Sequence, residues 1–105
     1  MSQRKKEVRR QFRSAVFERD GYRCQGCGFV SSPERAEEEL DAHHITDRNE
    51  MPNGGYVLEN GISLCAVCHE KAEAHHRGDP VLPGFTPQEL YAIIESSEEL
   101  ARAAS

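Results

Sequence analysis

The first apolar stripe in the chain runs Val8, Phe12, Ala15 and Val16, at steps of three and four residues, and predicts a helix over residues 5–19. Asp20-Gly21 ends it. At Cys24-Gln25-Gly26-Cys27-Gly28 the glycines let backbone amides turn in toward sulfur, so a short knuckle is expected. Ser32-Pro33, followed by Glu34, Arg35, Ala36 and Glu37 to Glu39, predicts an N-cap, a first-turn proline and one or two acidic helical turns in an exposed insertion. Residues 40–46 read as a strand, 47–55 as a flexible loop, and Asn60-Gly61 as a turn into a second short strand over 62–64. A helix is expected over 65–77, closed by Gly78-Asp79-Pro80, and a linker over 78–85. Thr86, Pro87 and Glu89 supply an N-cap, a proline at the first helical position and the acid of a capping box. Leu90, Ile93, Ile94, Leu100 and Ala101 then continue a C-terminal helix over 86–104.

The composition makes the core thin. A chain of 105 residues with three Tyr, four Phe and no Trp has few large side chains to bury, so a covalent or metal staple is expected. No run of apolar residues approaches the roughly 20 that span a bilayer. Residues 1–10 are basic and polar where a signal peptide would be apolar. Both features predict a cytoplasmic protein that makes no use of a membrane. Net charge is −5, which by itself argues against a phosphate-rich partner, but its distribution points the other way. Residues 1–23 hold Arg4, Lys5, Lys6, Arg9, Arg10, Arg13, Arg19 and Arg23 against Glu7, Glu18 and Asp20, a balance of +5 that leaves −10 for the rest. Such a segment is either a basic arm for phosphates, with Arg9, Arg10 and Arg13 facing them, or a solvated charged helix.

The staple is visible in the cysteines. Cys24-x-x-Cys27 and Cys65-x-x-Cys68 have the spacing with which two chelate arms reach one tetrahedral zinc. Two disulfides suit a reducing compartment poorly, and a redox dithiol would leave the second pair without a purpose. Four thiolates fill the zinc shell and leave no place for water, so that ion is structural. The 37 residues between the arms form an insertion closed at its base, and it holds the first histidines.

A second metal site is suggested by His43-His44, Asn60 and His69, the asparagine 16 residues after the pair and the last histidine nine after that. The runs Leu40-Asp-Ala-His-His-Ile-Thr46 and Leu58-Glu-Asn-Gly-Ile-Ser-Leu-Cys-Ala-Val-Cys-His69 resemble the HNH endonuclease family in its zinc-stapled, four-cysteine form. Phe17-Glu-Arg-Asp-Gly-Tyr-Arg-Cys24-Gln-Gly-Cys27 resembles that family's lead-in, and the likeness extends over about 12–76.

That resemblance implies a small α+β fold: a ββα-metal (His-Me finger) core with structural zinc, flanked by N- and C-terminal helices. It implies one HNH nuclease domain over 1–105, with a core of about 12–78, in a cytoplasmic setting of bacterial or phage type. By position, His43 and His69 match ligands of a catalytic divalent cation, which would be magnesium or an ion such as manganese or nickel. His44 matches the general base and Asn60 the residue that orients it. The implied activity is metal-dependent hydrolysis of DNA phosphodiester bonds by nicking or double-strand cleavage, alone, as a homodimer or with a partner protein. The alternative is a non-catalytic zinc module that binds nucleic acid or protein.

The chemistry suits these residue types independently. An imidazole titrates near neutrality and can take a proton from water, while a cation with only two protein ligands keeps positions open for phosphate. Adjacent strand residues point to opposite faces, so His43 and His44 cannot both aim at one ion unless the phosphate lies between them or the strand bends. Glu73, one turn beyond His69, is either a further ligand, direct or through water, or a solvated acid. His75 and His76 are expected at the surface or toward phosphate. Arg48 is either a phosphate contact or an ordinary loop residue.

Overall fold

Two short antiparallel strands and the helix that leaves the second of them form the centre of the structure, a computed structural model that describes residues 3–105. Strand β1 (Leu40–His44) pairs with β2 (Gly61–Cys65) in the register Leu40↔Cys65 to His44↔Gly61. Helix α1 (Gln3–Arg19) precedes them, and a one-turn helix α2 (Ala36–Glu39) leads into β1. Helix α3 (Ala66–Arg77) starts at the residue after β2 and ends on Gly78 in the left-handed conformation. Helices α4 (Pro87–Ile93) and α5 (Glu98–Ala104) follow. This is the small α+β, ββα arrangement that the sequence predicts. No helix among the described residues is long and apolar enough to cross a membrane.

Alternation along β1 assigns its two faces. Asp41 and His43 look toward α3, where His69 stands, whereas His44 looks toward α1 and stacks on Phe12 with ring centroids 4.7 Å apart. The approach of α1 to β2 is so close that a Cβ on Gly61 would lie 2.6 Å from Val16 Cγ2 and 2.7 Å from Phe12 Cζ. Only glycine fits there. The last turn of α1 is fastened to the hairpin through Arg19, which donates to the carbonyls of Leu58 (2.7 Å) and Gly61 (2.6 Å). Asp20 adds an acceptor for the amide of Ser63 at 2.8 Å. One continuous buried cluster joins Phe17, Leu40, Ile45, Met51, Ile62, Leu64, Leu90, Tyr91 and Ala101 with the inner cysteines.

Four expectations need correction. In α1 the buried face is Phe12, Val16 and Phe17, while Ala15 is exposed. The strands are met by two aromatic rings, and these set the rotation of the helix more strongly than a methyl does. The acidic insertion starts its helix at Ala36, not at Ser32-Pro33. Ser32 contributes its carbonyl to the amides of Arg35 and Ala36, and the N-cap position falls on Arg35. Residues 47–55 are two 3-10 turns, Arg48–Glu50 and Pro52–Gly55, with Met51 and Gly55 buried. The C-terminal helix expected over 86–104 is broken. Glu95 takes a positive φ of 54°, and Ser97 caps a new helix through the amide of Leu100. The break turns Ala101 into the core and leaves Ile93 and Leu100 exposed, so the apolar stripe was not one helical face. The start of that segment is as expected, with Thr86 and Glu89 forming a complete capping box.

Candidate metal centres and the histidine cavity

Among the described residues, two groups of side chains are placed to hold a metal ion. The first is Cys24, Cys27, Cys65 and Cys68, all free thiols, whose sulfurs lie within 4.8 Å of one another. Cys27 and Cys65 sulfurs are 3.8 Å apart. That is about the separation two sulfurs take around a tetrahedral ion at bonds of about 2.3 Å. The knuckle carrying the first pair is held to β2 by the Gln25 amide, which donates to Ser63 O at 2.9 Å. Gly26 lets the two pairs close, since a Cβ there would lie 2.9 Å from Cys68 Sγ. Burial works to raise the Cys24 thiol, but the backbone amides of Cys65, Cys27 and Gly26 outweigh it and hold the pKa down to about 7. Burial and the neighbouring sulfurs push the Cys68 thiol up. Four sulfurs held this close together form a set that a single cation can bind.

The second group is His43, His69 and Glu73. Glu73 Oε1 stands 3.0 Å from His69 Nε2 and 3.3 Å from His43 Nδ1. The latter contact is not aligned as a hydrogen bond, and Nδ1 is left buried and without a hydrogen-bond partner on a histidine only 2% exposed. A buried, unpartnered nitrogen facing a carboxylate and a second imidazole is what a cation would satisfy. Asp41 accepts at 3.0 Å from Nδ1 of His69, so Nε2 is the nitrogen turned toward Glu73. Glu73, its side chain 36% exposed, stands within reach of both histidines.

His44 comes from the other face of β1, yet it lines the same cavity as His43, His69, Glu73 and Arg48, a space of about 440 Å³. The difficulty of two adjacent histidines on opposite faces is met because the cavity wraps the end of the strand. Tyr56 meets the His44 ring edge-on at 4.8 Å, and the Tyr56 hydroxyl accepts from Arg9 Nε at 3.2 Å and Arg48 Nη1 at 3.3 Å. Burial works to raise that phenol, and the two guanidiniums more than offset it, so its pKa lies below the ordinary range. Burial, helped by the positive charge of Arg48, brings the His44 pKa down to about 4. Burial and then the surrounding histidines bring His43 to about 3. Both rings are neutral at pH 7.

Asn60, fully buried, reaches His44 only through the chain. Its Oδ1 accepts from the Thr46 amide at 2.9 Å and from the Tyr91 hydroxyl at 2.8 Å, and its Nδ2 donates to the carbonyls of Thr46 (3.1 Å) and Gly55 (3.2 Å). It therefore locks the backbone just beyond the histidine pair. His76 is half-buried, lines the same cavity, stacks on His43 at 5.2 Å, and donates from Nε2 to the His44 carbonyl at 3.0 Å. His75 is exposed, as expected. Sequence reasoning missed Asp41 and Tyr56. The first was readable as the same-face neighbour of His43 two residues earlier; the second had no local signal.

Comparison with known proteins adds one finding. Residues 24–75 match the family model described as HNH endonuclease. No curated protein and no solved structure matched the chain. The matched stretch begins at the first cysteine and contains both strands, the cysteine tetrad, the histidine pair, Asn60, His69 and Glu73, and on this agreement of sequence and architecture the chain belongs to the HNH endonuclease family.

Proposed function

We propose that the protein is a metal-dependent DNA endonuclease that hydrolyses phosphodiester bonds, with residues 1–105 working as one nuclease domain around a core of about 12–78. One observation carries the reading: His44 from one face of β1 and the His43–His69–Glu73 group from the other open into a single cavity. In this scheme His44 is neutral at physiological pH and accepts a proton from the attacking water. Arg48, on the wall of the same cavity, faces the phosphate. Asn60 holds the strand end that aims the base, and Asp41 fixes the orientation of His69.

Zinc suits the sulfur group, where four soft donors close the shell. The imidazoles of His43 and His69 suit nickel, and the Glu73 carboxylate with coordination positions left to water suits manganese or magnesium. When bound, such an ion would polarise the phosphate and neutralise charge on the departing oxygen.

Incubating supercoiled plasmid with the protein and magnesium, manganese or nickel, beside an EDTA control, tests the activity. His44→Ala is expected to lower cleavage by roughly 10²–10⁴-fold while zinc content and far-UV circular dichroism are kept. Wild-type rates in that variant would remove His44 as the base. An intact plasmid with every cation would make the chain a non-catalytic zinc module.

A further inference from the structure

Outside the histidine cavity, a groove of about 600 Å³ lies between the N-terminal half of α1 and the turns over 48–56. Arg4, Lys5 and Arg9 line it from the helix, and Arg48, Asn53 and Tyr56 from the turns. No acidic side chain is among its lining residues, in a chain whose net charge is −5. Arg48 lines both this groove and the histidine cavity, so the two meet at that residue.

The other cations of α1 are differently employed. Arg10 is paired with Glu7 and Arg13 with Glu37, while Arg19 is bound to Asp20 and to two carbonyls of the hairpin. On the groove side, Arg9 and Arg48 both donate to the hydroxyl of Tyr56. The described first turn of α1 carries Arg4, Lys5 and Lys6 and no acid, which sets positive side chains at the positive end of the helix dipole.

We infer that this groove is a binding track for the phosphodiester backbone of DNA, leading the strand over Arg4, Lys5 and Arg9 to Arg48 and so into the histidine cavity. The inference rests on the nuclease reading for its partner, and it divides the helix expected to contact phosphate as a whole: Arg9 belongs to the track, whereas Arg10 and Arg13 do not. The contacts are to backbone, so the track confers register and affinity without selecting sequence.

The test is fluorescence anisotropy of a short fluorescein-labelled DNA duplex with the zinc-loaded full chain, over a series of sodium chloride concentrations and without added divalent cation. Arg4→Gln/Lys5→Gln/Arg9→Gln should weaken binding and reduce the slope of log affinity against log salt by about three, close to one for each phosphate no longer neutralised. Arg4→Gln/Lys5→Gln, which leaves both bonds to Tyr56 in place, should reduce it by about two. Arg10→Gln/Arg13→Gln removes comparable charge from other faces and should leave the slope within about one of wild type. Equal losses in the groove and control sets, or an unchanged slope in the groove set, would overturn the track. The two readings fail separately. A groove-dependent slope in a protein that cuts nothing keeps the track and sinks the nuclease; plasmid cleavage with a groove-independent slope does the reverse.

Discussion

The two metal-binding groups sit at opposite ends of the same pair of strands and share one helix, yet they are built on contrary principles. At the Leu40↔Cys65 end, four like donors converge from the Cys24–Cys27 knuckle and from the junction of β2 with α3, and two of the cysteines are buried. At the His44↔Gly61 end, two imidazoles and a carboxylate converge beside an open cavity, with a buried nitrogen left without a partner. Cys68 and His69 are consecutive on α3, about 100° apart around the helix axis, so one helix feeds both. A closed shell of sulfur fits an ion that holds the chain in shape. An open, mixed shell fits an ion that exchanges ligands. The difference teaches that donor number and access, more than proximity, separate a structural centre from a working one.

The largest effect separating the two ends should follow removal of the sulfur-bound ion. Cys68→Ser, or extraction with a strong zinc chelator, is expected to cost on the order of 10 kcal/mol and abolish the thermal unfolding transition. Depleting the divalent cation of the histidine group should leave that transition in place. If both treatments unfold the protein equally, the division between the two ends is lost.

Next in size is Asn60→Ala, which strips partners from the Thr46 amide and carbonyl, the Gly55 carbonyl and the Tyr91 hydroxyl. It should destabilise the fold by about 3 kcal/mol, read from denaturant midpoints. A cost below about 1 kcal/mol would deny Asn60 its positioning role.

Glu73→Ala should weaken binding of manganese by roughly 100-fold in calorimetric titration, with the zinc content unchanged, since the carboxylate belongs to the open group alone. The smallest effect is expected of Asp41→Asn. It keeps a hydrogen-bonding group beside His69 but removes its charge, and should cost about tenfold in the same titration. Affinity as weak as that of Glu73→Ala would promote Asp41 from orienting residue to ligand.

Much of this was legible in the residues themselves. The cysteine spacing, the order of His43, His44 and His69, and the capping box at Thr86 each carry their meaning within a few positions, and the structure brings the corresponding side chains together, while Asn60 stands behind the strand end. What escaped depends on contacts across the chain. The break at Glu95 was hidden because Ile93, Ile94, Leu100 and Ala101 mimic a helical stripe, although Ser97 followed by Glu98 and Glu99 spells a fresh helix start. His76 reads as either a surface or a phosphate-facing residue, because its seven-residue offset from His69 says nothing of the His44 carbonyl it reaches. Tyr56 sits in a turn with no periodicity, and its meeting with Arg9, 47 residues away, is set only when α1 crosses the hairpin.

The bond between Tyr91 and Asn60 bears on where this protein could be cut. The matched stretch stops at residue 75, but the hydroxyl that donates to Asn60 comes from α4, and Phe12, which underlies His44, comes from α1. An excised 24–75 fragment would keep every candidate ligand and still lose the floor beneath His44 and the brace behind it. The transplantable unit therefore includes both flanks, and a graft limited to the motif would carry the ligands without the supports that aim them.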